Sequence, residues 1–289
     1  MFLSESSHAE ELRVQEETKL TQKRPKKREN RSGSRWYNIE GSEYPSVTTI
    51  LGAIAKPALI AWSANVEREM VMNASVQLYN DIAGTPKMSP TAYLMSLKTR
   101  VGTVRAGQKE LQKAGDIGSQ THALIEWNLR ARLMQEAGPS PHISDKAMWA
   151  FMAWEDWAKS VDLKPIWVEQ TVWSDTHGYA GTMDLLAEVN GKLTVLDWKT
   201  GKAIYPEAQL QNAAYRHALR EMGHGDPVQG IIVRLPKNTE DPEFEAKLID
   251  TPEPKLMETF LHTFEVWKWA QIGEREYQEK RKEREEVAA

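Results

Sequence analysis

Cysteine is absent from this chain of 289 residues. That excludes a disulfide framework, a thiolate zinc site, an iron-sulfur cluster and a cysteine nucleophile, so any metal must be held by oxygen and imidazole donors. Long apolar runs are missing as well: no stretch approaches the roughly 18 residues that a membrane-spanning helix needs. The first residues, MFLSESSHAEELRV, lack the cationic, then apolar, then small-residue pattern of a secretory leader. There is no GxxxxGK[ST] phosphate loop and no repeat period, so the chain carries no ATPase motor of its own. The expectation is a soluble cytoplasmic protein with no membrane partner.

With 40% hydrophobic and 27% charged residues, the chain suits one large domain or two small ones with ample core. Its net charge of -4 is unevenly spread: KLTQKRPKKRENRSGSR, at 19–35, holds eight Lys or Arg against Glu29 alone. An acidic body with a basic arm binds polyanions locally, because steering follows the nearby field more than the total. The same composition also suits a solvated tail with no specific role. Residues 1–35 are therefore expected as a flexible basic arm, with a short frayed helix near 8–20.

Order is expected from Trp36. A hairpin around Glu40 to Ser42 leads to Pro45 and a helix capped by Ser46. A further helix follows, with Pro57 in its first turn and Leu59, Trp62, Val66 and Met70 on one face. Gly84-Thr85-Pro86 and Ser89-Pro90 break the stretch 74–113 into helices joined by loops. Residues 36–113 thus form an N-terminal hairpin and helical subdomain, and 114–289 a core ending in a long helix. In that core, helical spacing in SDKAMWAFMAWEDWAKSV makes Met148, Phe151, Trp154 and Ala158 a core stripe. Strand patterns occur at PIWVEQTVWS, YAGTMDLLAEV, KLTVLDWKT, VQGIIVRL and FEAKLI, with a helix ending at Gly223 between the third and fourth. The eleven tryptophans fall mostly at helical or strand periods and read as core rather than base-stacking platforms.

The informative stretch is DLLAEVNGKLTVLDWK. Asn190-Gly191 between apolar runs signals a type I' hairpin, since both central residues need positive φ. Val189 then pairs with Lys192, and counting back sets Asp184 opposite Asp197, with Lys199 on the same face. Two such carboxylates about 5 Å apart repel by roughly 3 kcal/mol at an effective dielectric near 20. A divalent cation between them, protonation of one, or solvation at an edge relieves the conflict. Without sulfur, the donor set suits Mg²⁺ or Mn²⁺. A nearby lysine suits activation of water or stabilisation of developing phosphate charge. A bare D-x(10–20)-[DE]-x-K pattern arises by chance about once in such a chain, so the surrounding residues must carry the argument.

Those residues are Gly181-Thr182 before the first aspartate, Leu193 to Leu196 before the second, and the helix bearing QNAAY. Together they resemble the PD-(D/E)XK nuclease superfamily, in its RecB-like, Cas4-like branch that includes mitochondrial genome maintenance and phage exonucleases. The match covers roughly 115–235, and YPSVTTIL and LIAW near the start are similar to the exonuclease members. Met183 replaces the proline of the family name. The resemblance implies an α/β, restriction-endonuclease-like fold: a central mixed β-sheet flanked by helices, with an N-terminal helical subdomain. It implies a metal-dependent DNA nuclease, an exonuclease rather than an endonuclease, in a bacterial or phage-infected cell. DNA is the implied partner, with a helicase, recombinase or single-strand-binding protein supplied in trans. Asp184, Asp197 and Lys199 are the implied catalytic residues, and His122, Asp184, Asp197 and the Trp198 carbonyl the implied ligands of Mg²⁺ or Mn²⁺.

Gln211 and Tyr215 stand one turn apart on one helix face, which the resemblance implies is turned toward the site and the DNA backbone, although Tyr215 also suits helix packing. Lys202 and Arg216 suit either phosphate contacts or exposed cations. Glu126 is either a partner of His122 or a surface acid, and Glu169 either faces the site across the sheet or is a strand-edge acid. Asp175 to Gly178 reads as a turn. Two other functions fit parts of the pattern. One is a catalytically silent nuclease fold that binds nucleic acid. The other is a retaining glycosidase using Asp184 and Asp197.

Overall fold

The structure is a computed structural model, and it describes residues 27–31, 34–83, 87–103 and 105–288. In chain order the elements are β1 (Lys27–Arg31), β2 (Ser34–Ile39), β3 (Ser42–Pro45), α1 (Val47–Leu51), α2 (Pro57–Asp81), α3 (Pro90–Val101), α4 (Ala106–Arg132) and α5 (Asp145–Ser160). There follow β4 (Leu163–Ser174), β5 (Tyr179–Val189), β6 (Lys192–Lys199), α6 (Glu207–Glu221), β7 (Gln229–Arg234), β8 (Glu245–Leu248) and α7 (Glu253–Ala288).

Asn190 and Gly191 take φ of 49° and 77°, the positive values that the two-residue turn demands. They set the β5–β6 register from Val189↔Lys192 through Leu185↔Leu196, as counted from the sequence. After β6 the chain crosses over through α6 and returns as β7, parallel to β6. The five strands lie in the order β4-β5-β6-β7-β8, a mixed sheet with one parallel pair. One side packs Leu186, Val195 and Ile232 against Ala214 and Leu219 of α6, Phe260 of α7 and Ile50 of α1. The other packs Leu185, Leu196 and Trp198 against Ile125 and Leu129 of α4 and Trp154 of α5. Both faces of the central strands are covered, which is why they read as near-continuous apolar runs. This is the α/β arrangement expected, a central mixed sheet flanked by helices.

A second, three-stranded sheet, β1-β2-β3, caps the end of β5, with Tyr37 and Ile39 packed on Ala180. Ser46 caps α1 by accepting from Thr49 N–H, and Ser89 caps α3 in the same way through Ala92. Several expectations need correction. The stretch 1–35 does not lack structure throughout: Lys27–Arg31 pairs with β2, and Ser34 and Arg35 already belong to that strand. Residues 1–26, with the frayed helix expected there, and Gly84-Thr85-Pro86 lie outside the described residues. Helix α4 begins at Ala106 and runs through the boundary expected at 113. In α5 the buried face is Ala147, Ala150, Trp154 and Ala158, while Met148 is 41% exposed. The small alanines let the helix approach the sheet, which turns Met148 outward. In α2 the buried positions are Ala74 and Leu78, and Leu59 and Trp62 face solvent.

Candidate active site

Three acids fall in one row across the sheet: Glu169 on β4, Asp184 on β5 and Asp197 on β6. Neither ladder is regular there. Val168↔Leu185 and Gln170↔Met183 pair on either side of Glu169 and Asp184, but these two do not pair, and Glu169 has a φ of 49°. Such a backbone for a side-chain-bearing residue costs of order 1 kcal/mol or more and persists where the surroundings impose it. The β5–β6 ladder likewise stops at Leu185↔Leu196, one pair short of the Asp184–Asp197 pairing expected from the sequence, so the two aspartates are not ladder partners. In a continuing antiparallel ladder the next narrow pair would send Trp198 N–H to the Met183 carbonyl. It donates instead to Asp184 Oδ2 at 2.8 Å. Across this row β5 changes the core it joins: Met183 packs with Tyr215, Leu185 with Ile125.

Helix α4 supplies the fourth group. Gly118 lets it come close to the end of β6, since a Cβ there would lie 3.1 Å from Thr200 Oγ1. His122, one turn on, places Nδ1 at 3.4 Å from Asp184 Oδ1 and 3.8 Å from Glu169 Oε1. Its Nε2 stands 3.2 Å from the Trp198 carbonyl. Donor atoms of His122, Glu169 and Asp184 all lie within 4.8 Å of one another.

Asp197 faces a different set of partners. Lys199 Nζ donates to its Oδ1 at 2.8 Å and lies 2.6 Å from Oδ2, while Gln211 Nε2 donates to Oδ1 at 2.9 Å. Oδ2 itself is buried and, apart from that close cation, has no partner in hydrogen-bond geometry. Gln211 also accepts from Lys199 at 3.2 Å and donates to the Tyr215 hydroxyl at 3.2 Å. Tyr215 is buried and lies directly over Gly181, where a Cβ would be 2.4 Å from its ring.

Electrostatics follow from this geometry. Burial pushes the Asp197 carboxyl up to about 6, with Lys199 opposing and the Asp184 charge adding to the rise. Burial would also raise Asp184, but His122, Lys199 and the Trp198 N–H outweigh it and hold that carboxyl below its ordinary range. Burial raises Glu169, against the pull of His122. For His122, burial favours the neutral ring, yet Asp184 and Glu169 overcome it and lift the imidazolium to about 10. Lys199 rises despite burial because Asp197 and Asp184 hold its charge.

Three carboxylates thus face two cations. The residues fit a hard divalent ion: the donors are oxygen and imidazole, His122, Glu169 and Asp184 bring theirs within 4.8 Å of one another, and the deficit is of positive charge. Loading such an ion requires His122 to release the proton it holds against Asp184 and Glu169.

The remaining candidates separate clearly. Glu126 pairs with Arg130 at 2.7 Å, one turn along α4, and reaches Glu169 only through space. Lys202 is exposed on the loop between β6 and α6. Arg216 is neither an exposed cation nor aimed at the site; it is buried and pairs with Glu253 at 3.0 Å. Sequence reasoning missed Tyr37, whose hydroxyl meets Thr182 Oγ1 at 3.0 Å beside the first aspartate. No local pattern signals a contact between residues 145 apart.

Acids from three adjacent strands of a mixed sheet stand here with a histidine from α4 and a lysine from β6. The model of the PD-(D/E)XK nuclease superfamily matches residues 88–286, and the chain belongs to that superfamily. No curated protein matches it.

Proposed function

We propose that the protein is a metal-dependent DNA exonuclease of the RecB-like branch, hydrolysing phosphodiester bonds by attack of water. The observation that carries this reading is the cluster of His122, Glu169 and Asp184, with Asp197 on the adjacent strand holding Lys199. His122, Asp184, Asp197 and the Trp198 carbonyl would hold Mg²⁺ or Mn²⁺, with Glu169 within reach of the same ion. A divalent ion there supplies Lewis-acid stabilisation of phosphate charge and makes water more acidic.

The protein's own groups do the rest. Asp197 and Gln211 hold the Lys199 ammonium at the site, where it stabilises negative charge developing on the scissile phosphate. Tyr215 and Gln211, both buried, form one hydrogen-bonded unit that fixes this lysine from within the fold, and Lys202 offers an exposed cation for a neighbouring phosphate. The exonuclease assignment rests on the resemblance of YPSVTTIL and LIAW to that branch. Superfamily membership sets aside the glycosidase alternative, and the intact acid-lysine set speaks against a silent binder, which would gain nothing from buried repulsion.

The test uses linear DNA labelled at either end, alongside a closed circle. Metal-free protein should cleave neither, and added Mg²⁺ or Mn²⁺ should restore release of nucleotides from the linear substrate alone. Cleavage of the circle would overturn the exonuclease assignment, and cleavage undiminished by chelator would overturn the metal dependence.

A further inference from the structure

Helix α7 has two apolar faces. Leu256, Met257, Phe260, Phe264 and Trp267 are buried against the core. On the opposite side Val266, Trp269, Ile272 and Tyr277 are exposed, Trp269 at 77%. At 100° per residue these four fall within an arc of about 140° pointing away from the core. A single exposed apolar residue is ordinary; a row around a tryptophan marks an interaction face.

The residues flanking this row are complementary to themselves when the helix is reversed. Placing a two-fold axis at Trp269 brings Val266 onto the partner's Ile272 and Trp269 onto the partner's Trp269. The same register sets Glu258 against the partner's Lys280, and His262 against the partner's Glu276. Glu258, His262, Glu276 and Lys280 are all exposed. Gly273 faces the partner's Glu265 across open space, since nothing lies within 4 Å of a Cβ built there. An isologous antiparallel contact needs this self-complementarity, with each unlike pair occurring twice. We infer that the outer face of α7 binds a second copy of this chain, forming a two-fold antiparallel helix pair centred on Trp269.

Overlap from Glu258 to Lys280 spans about 33 Å of helix. One helix pair of that length lies toward the low end of specific interfaces, so the dimer should be reversible and concentration-dependent.

The experiment is sedimentation of the full chain from low micromolar to several hundred micromolar. Wild type should shift from the mass of one chain to that of two. Trp269→Glu should stay at one chain throughout with an unchanged circular dichroism spectrum, because that side chain touches little of its own fold. Lys280→Glu should weaken association at least tenfold, and Glu258→Lys added to it should restore wild-type association by remaking both pairs with reversed sign. A wild type that stays monomeric at every concentration, a dimer that survives Trp269→Glu, or a double variant no better than Lys280→Glu would overturn the proposal.

Discussion

Lys199 is held by Asp197 and Gln211, and Asp197 already balances its charge, so its removal should affect chemistry more than binding. Lys199→Ala is expected to slow DNA cleavage by about a hundredfold or more, with Kd for DNA changed far less. Single-turnover cleavage set beside a binding titration separates the two, and a full cleavage rate in the variant would remove Lys199 from the catalytic set. Gly181→Ala tests the packing beneath the site. Its new Cβ would meet the Tyr215 ring, so unfolding in urea should show a loss of about 1–3 kcal/mol. An unchanged midpoint would mean that Tyr215 moves freely and does not fix Gln211. At this scale hairpin counting pointed to Asp184, Asp197 and Lys199 as neighbours, and Lys199 does pair with Asp197, although the ladder itself ends one pair short of the two aspartates. The sequence left Glu169 open between two readings. What turns that side chain toward His122 is a positive φ in mid-strand, which no flanking glycine or turn residue signals.

The elements repeat this pattern. The β5–β6 hairpin was legible because Asn190-Gly191 fixes its register chemically. Strand β1 was not, because KRENR is polar throughout and owes its strand to pairing with β2. Helix α5 was placed correctly, and of its expected stripe Trp154, Ala158 and the half-buried Phe151 do pack on the core; only Met148 turns outward, because Ala147 and Ala150, which carry little hydropathy, fill the rest of the buried face. Helix α6 is tied to the β4–β5 turn by Glu221, which accepts from Ser174 Oγ and from Thr176 N–H at 2.7 Å. Burial alone would raise this carboxyl, but those hydrogen bonds hold it below its ordinary value. Its stabilisation is therefore complete above the unfolded carboxylate range and is lost as pH falls toward the lowered folded value. His217, lowered by burial and by His177, acts in the same direction: charging it in acid destabilises the fold. Glu221→Gln should be less stable than wild type at neutral pH, and the gap should close as pH drops below about 4. Urea unfolding across pH checks this, and a gap constant with pH would contradict it.

At the scale of the whole molecule, charge and metal are the levers. Residues 19–26, KLTQKRPK, carry cations and no acid. Removing residues 1–26 should therefore weaken DNA binding more at low salt than at high salt and flatten the dependence of affinity on salt. Equal loss at every salt concentration would point to a role in folding instead. The central claim is that the row of acids and His122 hold a divalent cation. Its most direct test is calorimetric titration of the metal-free protein with Mn²⁺. Wild type should bind with proton release, Asp184→Asn should show no binding at the same concentrations, and Glu169→Gln should bind more weakly. Heats that are the same in Asp184→Asn and wild type, or no binding by wild type, would contradict it.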